Sequence, residues 1–168
     1  PSFCATAARS MGSVVPATAP EPYLVVDINL GSGSSDPSFG IAWDGVLFFT
    51  ADDGVHGREL WRTDGTAAGT GLVKDINPGS ADSNPGPFAF FAGMLYFTAD
   101  DGTHGRELWR SDSTREGTYR FLELNGTALG SAPRDLVYLN GFLFLTAQQQ
   151  VTPEKAYDRE LWRVELDA

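Results

Sequence analysis

The stretch VLFFTA occupies residues 46–51, and related stretches recur as MLYFTA at 94–99 and FLFLTA at 142–147. Successive side chains of a β-strand point to opposite faces of the sheet, so a strand with one wet face alternates apolar and polar residues. Each of these stretches instead begins with four consecutive apolar residues. They therefore predict strands that lie in sheets covered on both sides.

These stretches belong to a longer internal repeat. The motif DGVHGRELWR at residues 53–62 returns 48 positions later as DGTHGRELWR at 101–110, and RELWR at 159–163 continues it after five extra residues. We divide the chain into a tail over residues 1–22 and three repeats over about 23–70, 71–118 and 119–168. The tail is rich in Ala, Ser, Thr and Pro, which predicts a flexible or docking segment.

Each repeat predicts four short strands, which in the second repeat fall at about residues 72–76, 87–91, 94–99 and 107–111. Two-residue sequences typical of type I′ hairpin turns separate the second and third strands: Asp44-Gly45, Ala92-Gly93 and Asn140-Gly141. The last strand carries a repeated charged pair, Arg58-Glu59 in the first copy, which indicates a strand near an exposed edge. We expect this pair to set the register between strands rather than to catalyse a reaction.

Stacked four-stranded sheets with both faces covered are typical of a β-propeller, whose blades run to about 40–50 residues. Propellers have about 4–8 blades. Three repeats therefore predict that another copy of the chain, or other protein subunits, completes the ring. The alternative is a β-trefoil or β-prism, in which three four-stranded units close within a monomer. The strand that is apolar on both faces favours the propeller-like array.

The stretch ELWRTDGTAAGT at residues 59–70, followed by LVKDINPG at 72–79, resembles the bacterial ELWxxDGT repeat family. The resemblance covers residues 23–163 or so. The second copy departs from the motif at Ser113, and the third leaves it after Trp162 and Arg163. The resemblance implies an exported or surface protein and a propeller-like array. It implies no general catalytic activity, so no site residue is carried over from it.

Composition disfavours several classes of function. A formal net charge of -10 offers no basic face for nucleic acid or for an anionic membrane. No stretch approaches the roughly 20 apolar residues of a membrane span. Nucleophile-elbow, zinc-protease and phosphate-loop motifs are missing, and the single cysteine, Cys4, lies in the tail. We therefore expect no enzyme, and a hydrolase is the least favoured function.

Two sets of repeated residues are candidate ligands. Tryptophan faces stack on sugar rings, so the candidate glycan-binding residues are Trp43, Trp61, Trp109 and Trp162. Acidic residues beside histidine suggest a metal, with Ca²⁺ the one candidate cofactor, and the candidate ligands are Asp52, Asp53, His56, Asp100, Asp101 and His104. Structural roles are favoured in both sets, because such tryptophans pack between sheets and turn aspartates accept backbone N–H bonds.

The sequence thus predicts a non-catalytic interaction or scaffolding module that acts outside the cytoplasm in an oligomer or larger complex. A carbohydrate-binding lectin is the alternative. The expected partners are another copy of the chain, other protein subunits or glycans, with no nucleic acid.

Overall fold

A computed structural model describes residues 21–124, 130–149 and 158–166. The predicted tail up to residue 20, Cys4 included, and the third-repeat insertion at 151–157 lie outside these described residues. The described residues form eleven strands and no helix, which confirms the predicted all-β class. Over the same ranges, no helix is long and apolar enough to cross a membrane.

The strands form three antiparallel sheets in chain order. Sheet I contains β1 (Ser38–Trp43), β2 (Val46–Asp52), β3 (Arg58–Thr63) and β4 (Gly71–Lys74). Sheet II contains β5 (Phe88–Phe91), β6 (Met94–Asp100), β7 (Arg106–Ser111) and β8 (Tyr119–Leu122). Sheet III contains β9 (Arg134–Leu139), β10 (Phe142–Gln149) and β11 (Asp158–Glu165). Strands adjacent in a sheet are adjacent in the chain, so each sheet is a meander.

The sheets are offset by one strand from the predicted repeats. The segment predicted as the first strand of the second repeat forms β4, which pairs with β3 of the preceding sheet and places Leu72 opposite Trp61. β8 pairs with β7 in the same way. The equivalent segment of the first repeat, residues 23–26, is not a strand, and sheet III has no fourth strand among the described residues.

The predicted hairpin turns are confirmed. Both turn residues have positive φ in all three sheets: Asp44 47° and Gly45 77°, Ala92 46° and Gly93 79°, Asn140 51° and Gly141 87°. Such turns match the right-handed twist of the strands that they join. They hold the second strand of each sheet antiparallel to the first.

The sheets pack face to face in chain order. Between sheets I and II, Phe48 and Leu60 lie in one buried cluster with Leu95 and Phe97. Residues at equivalent repeat positions form the cluster between sheets II and III, where Tyr96 and Leu108 meet Leu143 and Leu145. The first strands of the sheets lie side by side, β1 against β5 and β5 against β9. The described sheets make an open row and do not close on themselves.

Aromatic pairs mark both junctions between sheets. Trp43 stacks on Phe90 with ring centroids 4.2 Å apart. Phe91, 48 positions after Trp43, stacks on Tyr138 at the same centroid distance of 4.2 Å. The repeated stack shows that the two junctions have the same relative placement of sheets.

Burial of the central strands differs between the sheets. Both faces of β2 and β6 are covered, so the prediction drawn from the doubly apolar stretches is confirmed in sheets I and II. β10 alternates between buried and half-buried residues, with Leu143 covered and Phe144 partly open. Within the described ranges no further sheet stacks on sheet III, so its second face is covered only if further protein packs on it, which stays a prediction.

The prediction for the Arg-Glu pair needs correction. The Arg-Glu pair predicts a strand near an exposed edge, yet β3 and β7 lie in the interior of their sheets, each between two neighbouring strands. Leu60 and Glu59 of β3 are fully buried. From the sequence alone, we could not predict that the carboxylate of this charged pair is buried and accepts hydrogen bonds inside the protein.

The stacking of sheets should dominate stability. Leu108→Ala is expected to lower the free energy of unfolding by about 2–5 kcal/mol, because it leaves a cavity at the junction of sheets II and III. Leu30→Ala, the same change at a leucine that is 83% exposed, should stay within about 0.5 kcal/mol. Urea denaturation measures both, and equal losses in the two variants would contradict the packing described here.

Candidate interaction surface

The arginine of each RELWR motif holds the loop that enters its own sheet. Arg58 Nη1 donates a hydrogen bond to the carbonyl of Asp36, 2.7 Å away. The later copies repeat the bond, from Arg106 Nη2 to the Asn84 carbonyl at 2.8 Å and from Arg159 Nη1 to the Ala132 carbonyl at 3.0 Å. Each arginine therefore fixes where the first strand of its sheet begins.

The glutamate of the motif holds the loop that enters the next sheet. The buried Glu59 carboxylate accepts hydrogen bonds from the backbone N–H groups of Ile76 (3.0 Å), Asn77 (3.2 Å) and Ser83 (3.2 Å), and from the Ser83 hydroxyl. Glu107 accepts equivalent bonds from the backbone N–H of Ser131 (2.8 Å) and from its hydroxyl. The Arg-Glu pair thus links two consecutive sheets at a fixed offset.

Burial also shifts the titration of these glutamates. Desolvation raises the pKa of Glu59 to about 7, against the hydrogen bonds from Ser83, Ile76 and Asn77, which lower it. Desolvation raises the pKa of Glu107 as well, in the same balance with Ser131. No ion pair joins either glutamate to an arginine within the described residues.

Sheet III contains the same motif, but within the described residues no further sheet packs on it. Glu160 lies at the position of Glu59 and Glu107 but is exposed. Leu161 is 71% exposed, whereas Leu60 and Leu108 at the same motif position are 0% exposed. The change follows from position in the row, because β11 belongs to the last sheet of the described chain.

The outer side of sheet III is an apolar surface, which we call the open face. Strand pairing places Phe144 beside Val137 and Phe142 beside Leu139, with Leu161 of β11 beside Thr146. Val137, Leu139 and Leu161 are exposed large hydrophobic residues. Their equivalents in sheets I and II face the next sheet, so the open face is the side on which a further sheet would stack.

At the other end of the row, residues 23–37 run over the outer face of sheet I. Ile28 packs against the buried Phe49 and Trp61. An apolar groove of about 350 Å³ lies between this segment and the sheet, lined by residues that include Tyr23, Leu24, Val25, Leu47 and Phe49. Tyr23 is 77% and Leu24 is 79% exposed.

The four candidate tryptophans do not form one site. Trp61 and Trp109 are buried and Trp162 is half-buried, one in each sheet. Trp43 is 46% exposed and lies at the junction of sheets I and II. Of the four, the structure therefore leaves Trp43 with a substantial free surface.

The candidate metal ligands lie in two separate turns, one in sheet I and one in sheet II. His56 Nδ1 lies 2.7 Å from Asp53 Oδ2, and Asp53 Oδ1 accepts the backbone N–H of His56 at 2.9 Å. Asp52 Oδ1 accepts the N–H of Gly54 at 2.7 Å. Asp100, Asp101 and His104 repeat these contacts. Within the described ranges, no three acidic, His or Cys side chains are placed to hold a metal ion.

The His-Asp contact stabilises its turn electrostatically. The hydrogen bond that the His56 ring donates to the Asp53 carboxylate raises the pKa of His56. Desolvation acts to raise the pKa of Asp53. Hydrogen bonds from His56 and Val55 outweigh it, so the pKa of Asp53 is lowered. The carboxylate oxygens are thus occupied in forming the turn.

The serines that bind the buried glutamates were not predicted from the sequence. These are Ser83 and Ser131, and Ser35 occupies the same position 48 residues before Ser83, so the repeat itself contains the signal. The backbone of these serines also has a repeated role, since the carbonyls of Ser35, Ser83 and Ser131 each accept an N–H bond from the second strand of their own sheet. Serines in a loop gave no reason to expect a buried carboxylate as their partner.

Glu59→Gln should destabilise the fold by about 1–3 kcal/mol, because the amide nitrogen would face N–H and O–H donors. Glu116→Gln, the same change at an exposed glutamate, should stay within about 0.5 kcal/mol. Chemical denaturation of both variants checks this, and a harmless Glu59→Gln would rule out the glutamate link.

The same variant has a pH signature. Because the pKa of folded Glu59 is about 7 and its ordinary value is 4.5, the folded chain binds more protons over this window, and its stability falls as pH rises through it. The amide of the Glu59→Gln variant cannot titrate, so the stability advantage of the original chain over the variant should shrink between the ordinary and the raised pKa of Glu59. Denaturation at a series of pH values measures this, and an advantage that grows over that window would contradict the raised pKa.

Comparisons of the chain with models of protein families, with curated proteins and with solved structures found no match. The resemblance to ELWxxDGT repeats therefore stays a prediction that rests on the motif itself. Function has to be inferred from the surfaces of this chain.

Proposed function

We propose that this chain is a non-catalytic interaction module that assembles with further protein through the open face of sheet III. One observation carries the proposal: the motif leucine is 0% exposed in sheets I and II and 71% exposed at Leu161. The repeat supplies the same apolar residue three times, and only two copies are used inside the described chain.

The physical reason is the cost of leaving apolar side chains in water. Burial of a leucine side chain stabilises a protein by about 1.5–3 kcal/mol. Val137, Leu139 and Leu161 share the open face and are all exposed. Contiguous exposed apolar surface of this kind is typical of protein interaction sites.

We further propose that the row of sheets is part of a propeller-like array. The face-to-face packing of successive meanders and the side-by-side first strands support this arrangement. It also supports the array over a β-trefoil or β-prism, since those folds close their three units within one chain. Propellers need about 4–8 blades, so the array is expected to be completed by additional sheets.

A role as a scaffold outside the cytoplasm is part of the same proposal. The resemblance of residues 59–70 to exported bacterial repeats supports the location. The repeated use of the carboxylates and histidines in structural links supports a function without catalysis, because a catalytic group is normally unique within its chain.

Light scattering of the full chain should give at least twice the mass of a single chain. Leu161→Lys should weaken the association about tenfold or more, because it places a charge in the contact. Val55→Lys, at another exposed apolar residue outside the open face, should leave association unchanged. A chain that stays monomeric at high concentration would overturn the proposal.

Glycan binding is a second candidate function, supported by the partly exposed ring of Trp43. If it holds, Trp43→Ala should abolish binding on a glycan array while circular dichroism shows an intact fold. Val55→Ala should bind as the original chain does. Equal binding by Trp43→Ala and the original chain would exclude this tryptophan as the lectin site.

A further inference from the structure

The first repeat contains a strand sequence that has no sheet. Residues 23–26, YLVV, occupy the repeat positions of β4 and β8 but have no strand partner in the described chain. Sheet III lacks the strand at that same position among the described residues. The described chain therefore carries one unpaired strand segment and one incomplete sheet, at opposite ends of the row.

The pairing in sheets I and II predicts how the YLVV segment would pair with β11 of sheet III. Trp61 lies opposite Leu72 and Arg62 opposite Gly71 in sheet I. We replace each β3 residue by its equivalent in β11, and each β4 residue by its equivalent 48 positions earlier. Trp162 then lies opposite Leu24 and Arg163 opposite Tyr23. The outer edge of β11 would then have the same register as the outer edges of β3 and β7.

The polar contacts of the buried glutamates extend the match. Glu59 binds the N–H groups of Ile76 and Asn77 and both donors of Ser83. The residues 48 positions earlier are Ile28, Asn29 and Ser35. In the described structure no glutamate of a preceding sheet reaches them, while Glu160 on β11 is exposed.

Ser35 already has the backbone placement of its equivalents. Its carbonyl accepts the N–H of Asp52 at 3.0 Å, as the Ser83 carbonyl accepts that of Asp100 at 3.0 Å. The carbonyl of Asp36 in the same loop accepts a hydrogen bond from Arg58 Nη1, 2.7 Å away. The loop that would receive a glutamate is therefore formed before any partner arrives.

We infer that residues 23–35 of a second copy of the chain complete sheet III, with Tyr23–Val26 as its fourth strand and Ser35 on Glu160. The inference rests on the proposed function and names what pairs with the outer edge of β11. Residues 23–26 then leave the outer face of sheet I, where they lie beside Leu47 and Phe49. The open face of one copy packs on that outer face of the next copy, as a continuation of the contact that joins sheet I to sheet II. The same copy cannot supply the segment, because sheet II separates the two ends.

Two copies that exchange these segments would supply twice three sheets. This contact joins different surfaces of the two copies, so it produces a ring when the rotation closes. The third repeat departs from the others at Asp158, where sheets I and II have glycine. The incoming loop between Asn29 and Ser35 therefore has to pass around the side chain of Asp158.

Cross-linking tests the register directly. In the full chain with Cys4→Ser, Tyr23→Cys and Arg163→Cys are introduced together, both at exposed positions. Directly opposed residues lie within the reach of a disulfide, whose Cα atoms are about 4.4–6.8 Å apart. Mild oxidation should link chains to each other, as a non-reducing gel and light scattering would show.

The matched control is Val25→Cys with Arg163→Cys, shifted by two residues and so beyond about 7 Å. It should give little or no linked product. Linkage in the first pair and not in the second supports the inference. Assembly without linkage of Tyr23→Cys to Arg163→Cys overturns it and leaves the proposed function standing. A disulfide within one chain overturns the exchange between copies, and a monomeric original chain overturns both proposals.

Discussion

Covering both faces of an apolar central strand is the constraint on which the structure depends. β2 and β6 carry large apolar side chains on each face, and the chain covers them by stacking one sheet on the next. Such stacking has no natural end within a linear row of sheets. The last sheet keeps the same apolar composition and has an open face, and this is the origin of the proposed assembly.

Offset between sheets is set by polar contacts rather than by apolar packing, which has no direction of its own. In each motif the arginine holds the loop of its own sheet and, in sheets I and II, the glutamate holds the loop of the following one. A buried carboxylate is tolerated only when hydrogen bonds satisfy it. The link is therefore specific, because a sheet placed at another offset would leave the charge without donors.

Several features of the fold were predicted correctly from residues alone. The positive φ of Asp44 and Gly45 follows from the chemistry of short hairpin turns, and the strand positions follow from runs of apolar residues. The grouping of the candidate metal ligands and candidate glycan-binding residues could not be predicted in this way. His56 and Asp53 are joined within one turn, and the repeated tryptophans lie in separate sheets. Spacing along the chain could not show which of these side chains share a surface.

By itself, the sequence showed the repeat and determined the turns and the apolar character of the strands, since turns and strand character depend on residues close together in the chain. Tertiary structure alone decided that residues 71–74 join the preceding sheet, that Glu59 is buried on Ser83 and that Leu161 is left open. The reason is that a strand has two edges with the same backbone hydrogen-bonding groups. Which edge is paired, and which face is covered, depends on neighbours far away in sequence.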